Sequence, residues 1–424
     1  MKSEKAAKYS WALYDWANSA FVLTIISGFF PIFFKEFWLN TEDATLSTYY
    51  LGMANSGAAV VVALMAPFLG AIADRGNARK KFMLTFAFLG LLMTIGLLLV
   101  QRGYWQVALF FFIFSTVGWS SANVFYDSLL PSVASKNEVD FVSSLGYALG
   151  YIGGGLLFLA NVIFYLNYEF FGISESSTAV KINFLSVSIW WALFTIPFIL
   201  YVKEPSYKDA VPIRKAIMMG WYQLVHTLQD LKRYKIVLTF LIAYWLYIDG
   251  VDTIIRMAVD YGNSLNFAHS TLITALLMVQ FIAFPATLGY NWIASKIGVK
   301  NAVLIGIVGY IIITFFGAFM SKEWHFYILA AAVGLFQGGI QALSRSLYSR
   351  IIPKDKVAEF FGFYNMLGKF AAVIGPIMMG YVARISGNTR IGILTILLLF
   401  ILGALILWKV DIREGEKKVG QNYS

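Results

Sequence analysis

Hydrophobic and polar positions alternate along this chain on the length scale of a lipid bilayer. Apolar runs fall at about 11–38, 47–72, 82–101, 104–129, 142–170, 183–202, 235–261, 270–292, 301–320, 325–349, 359–383 and 389–409. A helix needs about 20 residues to cross roughly 30 Å of hydrocarbon, and these runs supply them. Backbone polar groups find no water in lipid, so each run is predicted to be a helix. The expected architecture is all-α and integral to the membrane, with twelve transmembrane helices joined by short polar loops. The longest polar stretch, 203–233, holds Pro205, Pro212 and an amphipathic segment at 213–231 suited to a membrane surface. It divides the chain into an N-terminal six-helix bundle (1–202), a linker (203–234) and a C-terminal six-helix bundle with a short tail (235–424).

The two bundles read as copies. Gly70 to Lys81 is GAIADRGNARKK, one acid and four bases between two apolar runs. A worn echo, NWIASKIGVK, occupies Asn291 to Lys300, with Ser295 in the place of Asp74, Lys296 in that of Arg75 and Lys300 near Arg79. The fourth run ends in FYDSLLP (125–131) and the tenth in LYSRIIP (347–353). The fifth opens on Asp140-Phe141 and the eleventh on Glu359-Phe360. Duplication in one orientation predicts two bundles related by a pseudo-twofold axis along the membrane normal. The first copy, GxxxDRxxxRK, resembles the signature loop between the second and third helices of the major facilitator superfamily.

Composition narrows the class further. Only 13% of residues are charged, against about 25% in a soluble domain. The formal net charge is +10, but Lys and Arg gather about four to one on the side that holds both termini. By the positive-inside rule that side is cytoplasmic, so the charge sets orientation and nucleic acid is not an expected partner. The chain has no cysteine and three histidines, His226, His269 and His325, which excludes disulfides and thiolate metal sites. No HExxH, GxSxG or GxxxxGK[ST] pattern occurs, so neither an enzyme nor a bound cofactor or metal is expected. MKSEKAAKYS precedes the first run without a small-residue cleavage site after it, and reads as the start of a retained helix.

Ionisable groups inside a bilayer are costly and mark function. The first helix carries WALYDWANSAF (11–21), with Tyr14 and Asn18 on one face and Asp15 and Ser19 on the next. This is either an interfacial aromatic belt or a face that binds solute or protons. The seventh carries YWLYIDGVDTIIR (244–256). Asp252 and Arg256 are spaced to pair there, leaving Asp249 available beside Gly250; a purely structural ion pair is the other reading. Lys369, in GFYNMLGKFAAVIGP (362–376), is a candidate counter-ion for Asp249. The fourth helix adds Asn123 and Tyr126, and the tenth Gln337 and Gln341. These residues, without Ser19 and Gly250, are the candidate solute site, with Asp15 and Asp249 as candidates for proton coupling.

A second set reads as a gate: Gly70, Asp74, Arg75, Arg79, Asp127, Asp140, Lys296, Arg345 and Glu359. Asp74 is placed to cap the N-terminus of the eleventh helix, and Lys296 and Lys300 to reach Asp140. Such contacts require the cytoplasmic ends to be together and would favour an outward-open state. The glycines of SSLGYALGYIGGG (143–155) predict close helix packing, and Gly375-Pro376 a bend.

LYDWANSAF (13–21), YIDG (247–250), QALSRS (341–346) and EFFGFY (359–364) together resemble the vacuole-effluxer-like branch of that superfamily. The resemblance implies a twelve-helix solute exporter, with amino-acid efflux as the activity proposed for fungal members. Asp127 departs from it, since asparagine is expected there. Charges of both signs among Asp15, Asp249, Asp252, Arg256 and Lys369 suit a zwitterion. The expected partners are a small solute, protons and the lipid bilayer, with the chain acting as a monomer in a bacterial cytoplasmic membrane. Competing readings are broad efflux of amphipathic compounds or lipids, and a receptor or scaffold without flux, for which the tail is short.

Overall fold

In the computed structural model, described over residues 2–39, 44–204, 211–229, 234–265 and 267–421, every regular element is helical. The first six long helices are α1 (Glu4–Leu39), α2 (Ala44–Arg75), α3 (Arg79–Gly96), α4 (Trp105–Ser128), α5 (Val139–Leu166) and α6 (Ser176–Tyr201). A surface helix, α7 (Ile213–Gln229), follows. The second six are α8 (Lys235–Ser264), α9 (His269–Ile297), α10 (Val299–Ala318), α11 (Glu323–Ile351), α12 (Val357–Ser386) and α13 (Thr389–Lys409). A short helix, α14 (Ile412–Gln421), closes the described chain. Among the described residues eleven helices are long and apolar enough to span a membrane. The twelfth, α12, has a described apolar segment at Ile374–Ala383.

Two aromatic cores form, one in each set of six. Trp11, Phe30, Trp38, Phe112 and Trp191 anchor the first, and Phe240, Tyr247, Tyr310, Tyr348 and Phe400 the second. Phe30 stacks on Phe112 with centroids 4.0 Å apart. The outer surface is the reverse of a soluble protein's: Leu64 is 70% and Phe88 65% exposed, as lipid-facing positions must be. With lipid as solvent, apolar burial no longer drives helices together, so close packing and hydrogen bonds have to hold them. Glycine supplies the closeness. A Cβ on Gly70 of α2 would collide with the Ala358 carbonyl of α12, and one on Gly362 would stand 2.6 Å from the Pro67 Cα. These two helices therefore cross backbone against backbone.

The hinge and its echo share a construction. Both turn through a left-handed residue, Asn77 (φ 47°) in the first and Gly298 (φ 88°) in the second. Lys80 donates to the Ile199 and Val202 carbonyls at the end of α6, at 2.7 and 2.6 Å. Lys300 does the same to Trp408 and Val410 at the end of α13, at 2.6 and 2.8 Å. Lys300 thus matches Lys80 by contact, and not Arg79, beside which sequence spacing set it.

Part of the linker is described. α7 covers most of the predicted amphipathic segment; residues 230–233 lie outside the description. Gly220 lets it settle on Ile72 of α2, and Trp221 packs edge-on against Phe68.

Candidate functional site

Arg345 is the node of the molecule. A long side chain at the buried end of α11 can leave its own bundle, and this one does. Its Nε donates to the Ser143 hydroxyl at 2.9 Å and one terminal nitrogen to the Ser143 carbonyl at 3.0 Å. The other donates to Asp127 Oδ1 at 3.0 Å, and both terminal nitrogens stand 3.4 Å from Asp15 Oδ2. The faces of the guanidinium lie 4.3 Å from the Tyr147 ring centre and 4.9 Å from that of Trp11. Only such a full set of partners makes a charge that is 2% exposed tolerable. Every one of these partners belongs to the first bundle.

The carboxylates have further support. Tyr126 donates to Asp15 at 2.9 Å, and Asn365 of α12 donates to Asp127 Oδ2 at 3.2 Å. Gly146 is required here, since a Cβ there would stand 2.6 Å from Asp15 Oδ2. Two carboxylates meet one guanidinium, which leaves one negative charge in excess when both are ionised. That surplus can be met by a proton or by a cationic group on a solute. Asp15 therefore faces the junction of the bundles and is not part of an interfacial belt.

Around this node lie further polar groups. Tyr151 donates to Gln341 across the interface at 2.7 Å. Gln337, one turn earlier on α11, is buried, and its amide oxygen has no hydrogen-bond partner. Tyr14 and Asn18 point the other way, into the first core. The Tyr14 hydroxyl accepts from Trp191 at 3.3 Å, while Asn18 donates to the Tyr14 carbonyl and accepts from Trp119. Asn123 is half-buried on α4, one turn before Asp127. The first helix departs from α geometry one turn beyond Asp15: Phe21–Phe29 and Phe34–Leu39 wind as wide π turns around Pro31, a distortion common at functional sites.

The seventh membrane helix differs from expectation. Asp249 is 1% exposed and does not stay available. It accepts from the Gly375 N–H at 3.1 and 3.2 Å and from Thr253 at 3.4 Å, tying α8 to α12 beside Pro376. At Gly250 the close approach is made by the Phe400 ring. Asp252 is half-buried and Arg256 exposed. The side chain of Lys369 lies outside the described residues.

The terminus-bearing ends are fastened twice. On one side Asp74 accepts from Arg79 at 2.7 Å and from the backbone N–H groups of Ala358 and Glu359, each at 3.0 Å. The carboxylate sits against the positive end of α12, as the dipole argument places it. Arg75 donates to Gln223 of α7, and Gln223 donates to the buried Glu359 at 2.6 Å. On the other side Asp140 pairs with Arg350. Glu416 of α14 stands 3.7 Å from Arg350 and 2.7 Å from Lys136. Lys296 and Lys300 do not reach Asp140: the first is exposed and the second points to the Trp408 and Val410 carbonyls. The bonds between bundles made by Tyr151, Arg345, Asn365, Asp74 and Arg350 lie between this node and the terminus-bearing face.

Asp74→Asn is expected to loosen that face. A charge-assisted hydrogen bond contributes about 1.5–3 kcal/mol, so a single cysteine replacing the buried Ala71 should label roughly 10- to 150-fold faster in Asp74→Asn than with Asp74 intact. Equal labelling rates would reduce Asp74 to a local cap.

Sequence reasoning missed Ser143, Tyr147 and Tyr151, which follow one another at helical spacing of four. The signal was present in SSLGYALGYIGGG, where the glycines drew the eye. It also missed Gln223 and Asn365, whose partners lie far off in the chain.

Comparison with known proteins agrees with this geometry. The family model described as "Vacuole effluxer Atg22 like" matches residues 42–420. The MFS-type transporter YxiO of Bacillus subtilis is 36% identical over 96% of this chain and 95% of its own length. Autophagy-related protein 22 of Saccharomyces cerevisiae is 23% identical over 96% of this chain and 92% of its own. Among solved structures, the proton:xylose symporter XylE superposes with a TM-score of 0.73 at 14% identity, covering 100% of this chain and 98% of its own. FucP, in its outward conformation, gives 0.67 at 12% identity, covering 96% and 98%. Eleven membrane-length helices among the described residues, with α12 completing two sets of six, an acid-and-base hinge between α2 and α3, and a matched family model that spans all but the first helix place this chain in the Atg22-like vacuole-effluxer family of the major facilitator superfamily.

Proposed function

We propose that this chain, a multi-pass membrane protein of a transporter family and not an enzyme, moves a small zwitterion, an amino acid or close analogue, by alternating access and in exchange for protons. The observation that carries this reading is the Arg345 node, one buried guanidinium between Asp15 and Asp127 at the junction of the bundles. A solute carboxylate would compete for Arg345, and a solute ammonium for the two acids, so a zwitterion matches both signs at once. Gln337 offers an unfilled acceptor one turn from Gln341. When the solute leaves, a proton on Asp15 would restore the balance of charge. Asp249 is the second candidate for coupling, through its hold on the Gly375 N–H of α12.

In this reading the units 1–202 and 235–424 rock about the node while 203–234 tethers them. The fastened terminus-bearing face corresponds to an outward-open state, with both termini in the cytoplasm of a bacterial cell and one chain as the working unit. The high aromatic content also suits broad efflux of amphipathic compounds, but the paired charges favour the zwitterion.

Proteoliposomes with a radiolabelled amino-acid panel test the cargo. In pH-jump counterflow, Asp15→Asn is expected to retain solute exchange while losing most of the pH-driven accumulation, at least tenfold if one proton drives uptake across a single pH unit. Asp249→Asn serves as the parallel variant. Undiminished proton drive in both would sink the coupling, and an inert amino-acid panel beside active amphipathic dyes would sink the cargo.

A further inference from the structure

Apart from the Arg345 node, two cavities meet on the second bundle near the terminus-bearing end, the first of them reaching Asp140 of the first bundle. The first, about 780 Å³, opens at the terminus-bearing end between the α9–α10 turn, the end of α13 and α14. The second, about 520 Å³, is a cleft between α10 and α13. They share Lys300, Asn301 and Trp408. The cleft is otherwise apolar, walled by Leu304, Val308, Ala404 and Leu405. A polar chamber set directly above an apolar slot, at the depth where a helix leaves the membrane, has the shape and polarity of a lipid molecule.

The charges in the chamber fix the sign of the headgroup. Lys300, Arg350, Lys409 and Arg413 face Asp140, Asp411 and Glu416. Arg350 is engaged by Asp140 and Glu416, which cancels those three to a single negative charge shared with Lys136. Asp411 accepts from the Glu414 N–H. Lys409 and Arg413 make no ion pair among the described residues. An ammonium has three donors, and Lys300 uses two on the carbonyls of Trp408 and Val410, leaving one for a guest. Trp408, 71% exposed at the rim, is the kind of side chain that settles at headgroup level.

We propose that these two cavities form a binding site for an anionic phospholipid. The phosphate is held by Lys300, Lys409 and Arg413, and one acyl chain lies in the α10–α13 cleft. The site is separate from the Arg345 node and does not depend on which solute is carried. Its inner wall includes the Asp140–Arg350 bridge between the bundles, so an occupied site lies against the fastened face.

The test uses the full chain, purified in detergent, delipidated and titrated by native mass spectrometry. The probes are phosphatidylglycerol, phosphatidylcholine and water-soluble glycerophosphoglycerol. Each cation near an anionic surface contributes about fivefold in affinity, so Lys409→Gln with Arg413→Gln should weaken phosphatidylglycerol about 25-fold. Val308→Trp, which fills the cleft and spares the charges, should displace the same lipid. If that variant fails to unfold cooperatively, Leu405→Phe replaces it. Equal binding of phosphatidylglycerol and phosphatidylcholine would overturn the proposal, as would an unchanged affinity in the charge variant. Glycerophosphoglycerol binding as well as the intact lipid would show a soluble-phosphate site and likewise overturn it.

Discussion

Arg345→Met is expected to abolish solute exchange and to lower the stability of the folded protein by about 3–5 kcal/mol, the cost of leaving buried charge without its partner. Methionine fills nearly the same volume, so packing against Trp11 and Tyr147 survives while the charge does not. What remains is Asp15 and Asp127 facing each other across the space the guanidinium occupied. The loss also cuts both bonds to Ser143, and with them the strongest polar link between the bundles. Adding Asp127→Asn should recover part of the stability, because one stranded charge is gone, and none of the transport. Thermal unfolding and counterflow on the same preparations separate these outcomes. A single variant that exchanges solute within about twofold of the parent, where a buried hydrogen-bonded charge pair ordinarily contributes 2–5 kcal/mol, would remove Arg345 from the mechanism.

Gly70→Leu is expected to drive the protein out of the conformation described here. The new Cβ would strike the Ala358 carbonyl and stand 2.7 Å from the Glu359 nitrogen. Both are backbone atoms at the capped start of α12, which cannot turn aside as a flexible side chain would. Overpacking typically costs about 1–3 kcal/mol, which corresponds to a shift of roughly 5- to 150-fold between the two access states. Since the chain has no cysteine of its own, a single thiol at Ala71 reports the change cleanly and should label faster by that factor. Gly52→Leu is the control, because nothing lies within 4 Å of a Cβ there on the same helix. Matching labelling in both variants would mean that the α2–α12 crossing has no part in closing the face.

The residues divide sharply by how far their causes reach. The twelve runs, the duplication and the Asp74 cap were legible because each depends on hydropathy, spacing or a helix dipole, all local to a few turns. Arg345 was visible as a charge near the gate, but its partners lie on α1, α4 and α5, and nothing within α11 names them. Asp249 misled for the same reason. A carboxylate at mid-depth looks free from its own helix, while the N–H that occupies it lies 126 residues on, at Gly375. Asp140 drew the wrong cation because charge alone does not rank Lys300 against Arg350. Geometry ranks them, since the end of α13 had already taken the lysine. The π turns of α1 left no trace in the hydropathy of its run.

Those paired lysines bear on how the molecule can deform. Lys80 and Lys300 each staple the entry of a bundle's third rod to the exit of its sixth, so the ring of helices in either half is closed at its rim. A sextet laced in this way resists internal shear and turns as one solid. The compliance needed for transport is thereby confined to the seam between the solids, where single side chains, and not whole rods, have to change company.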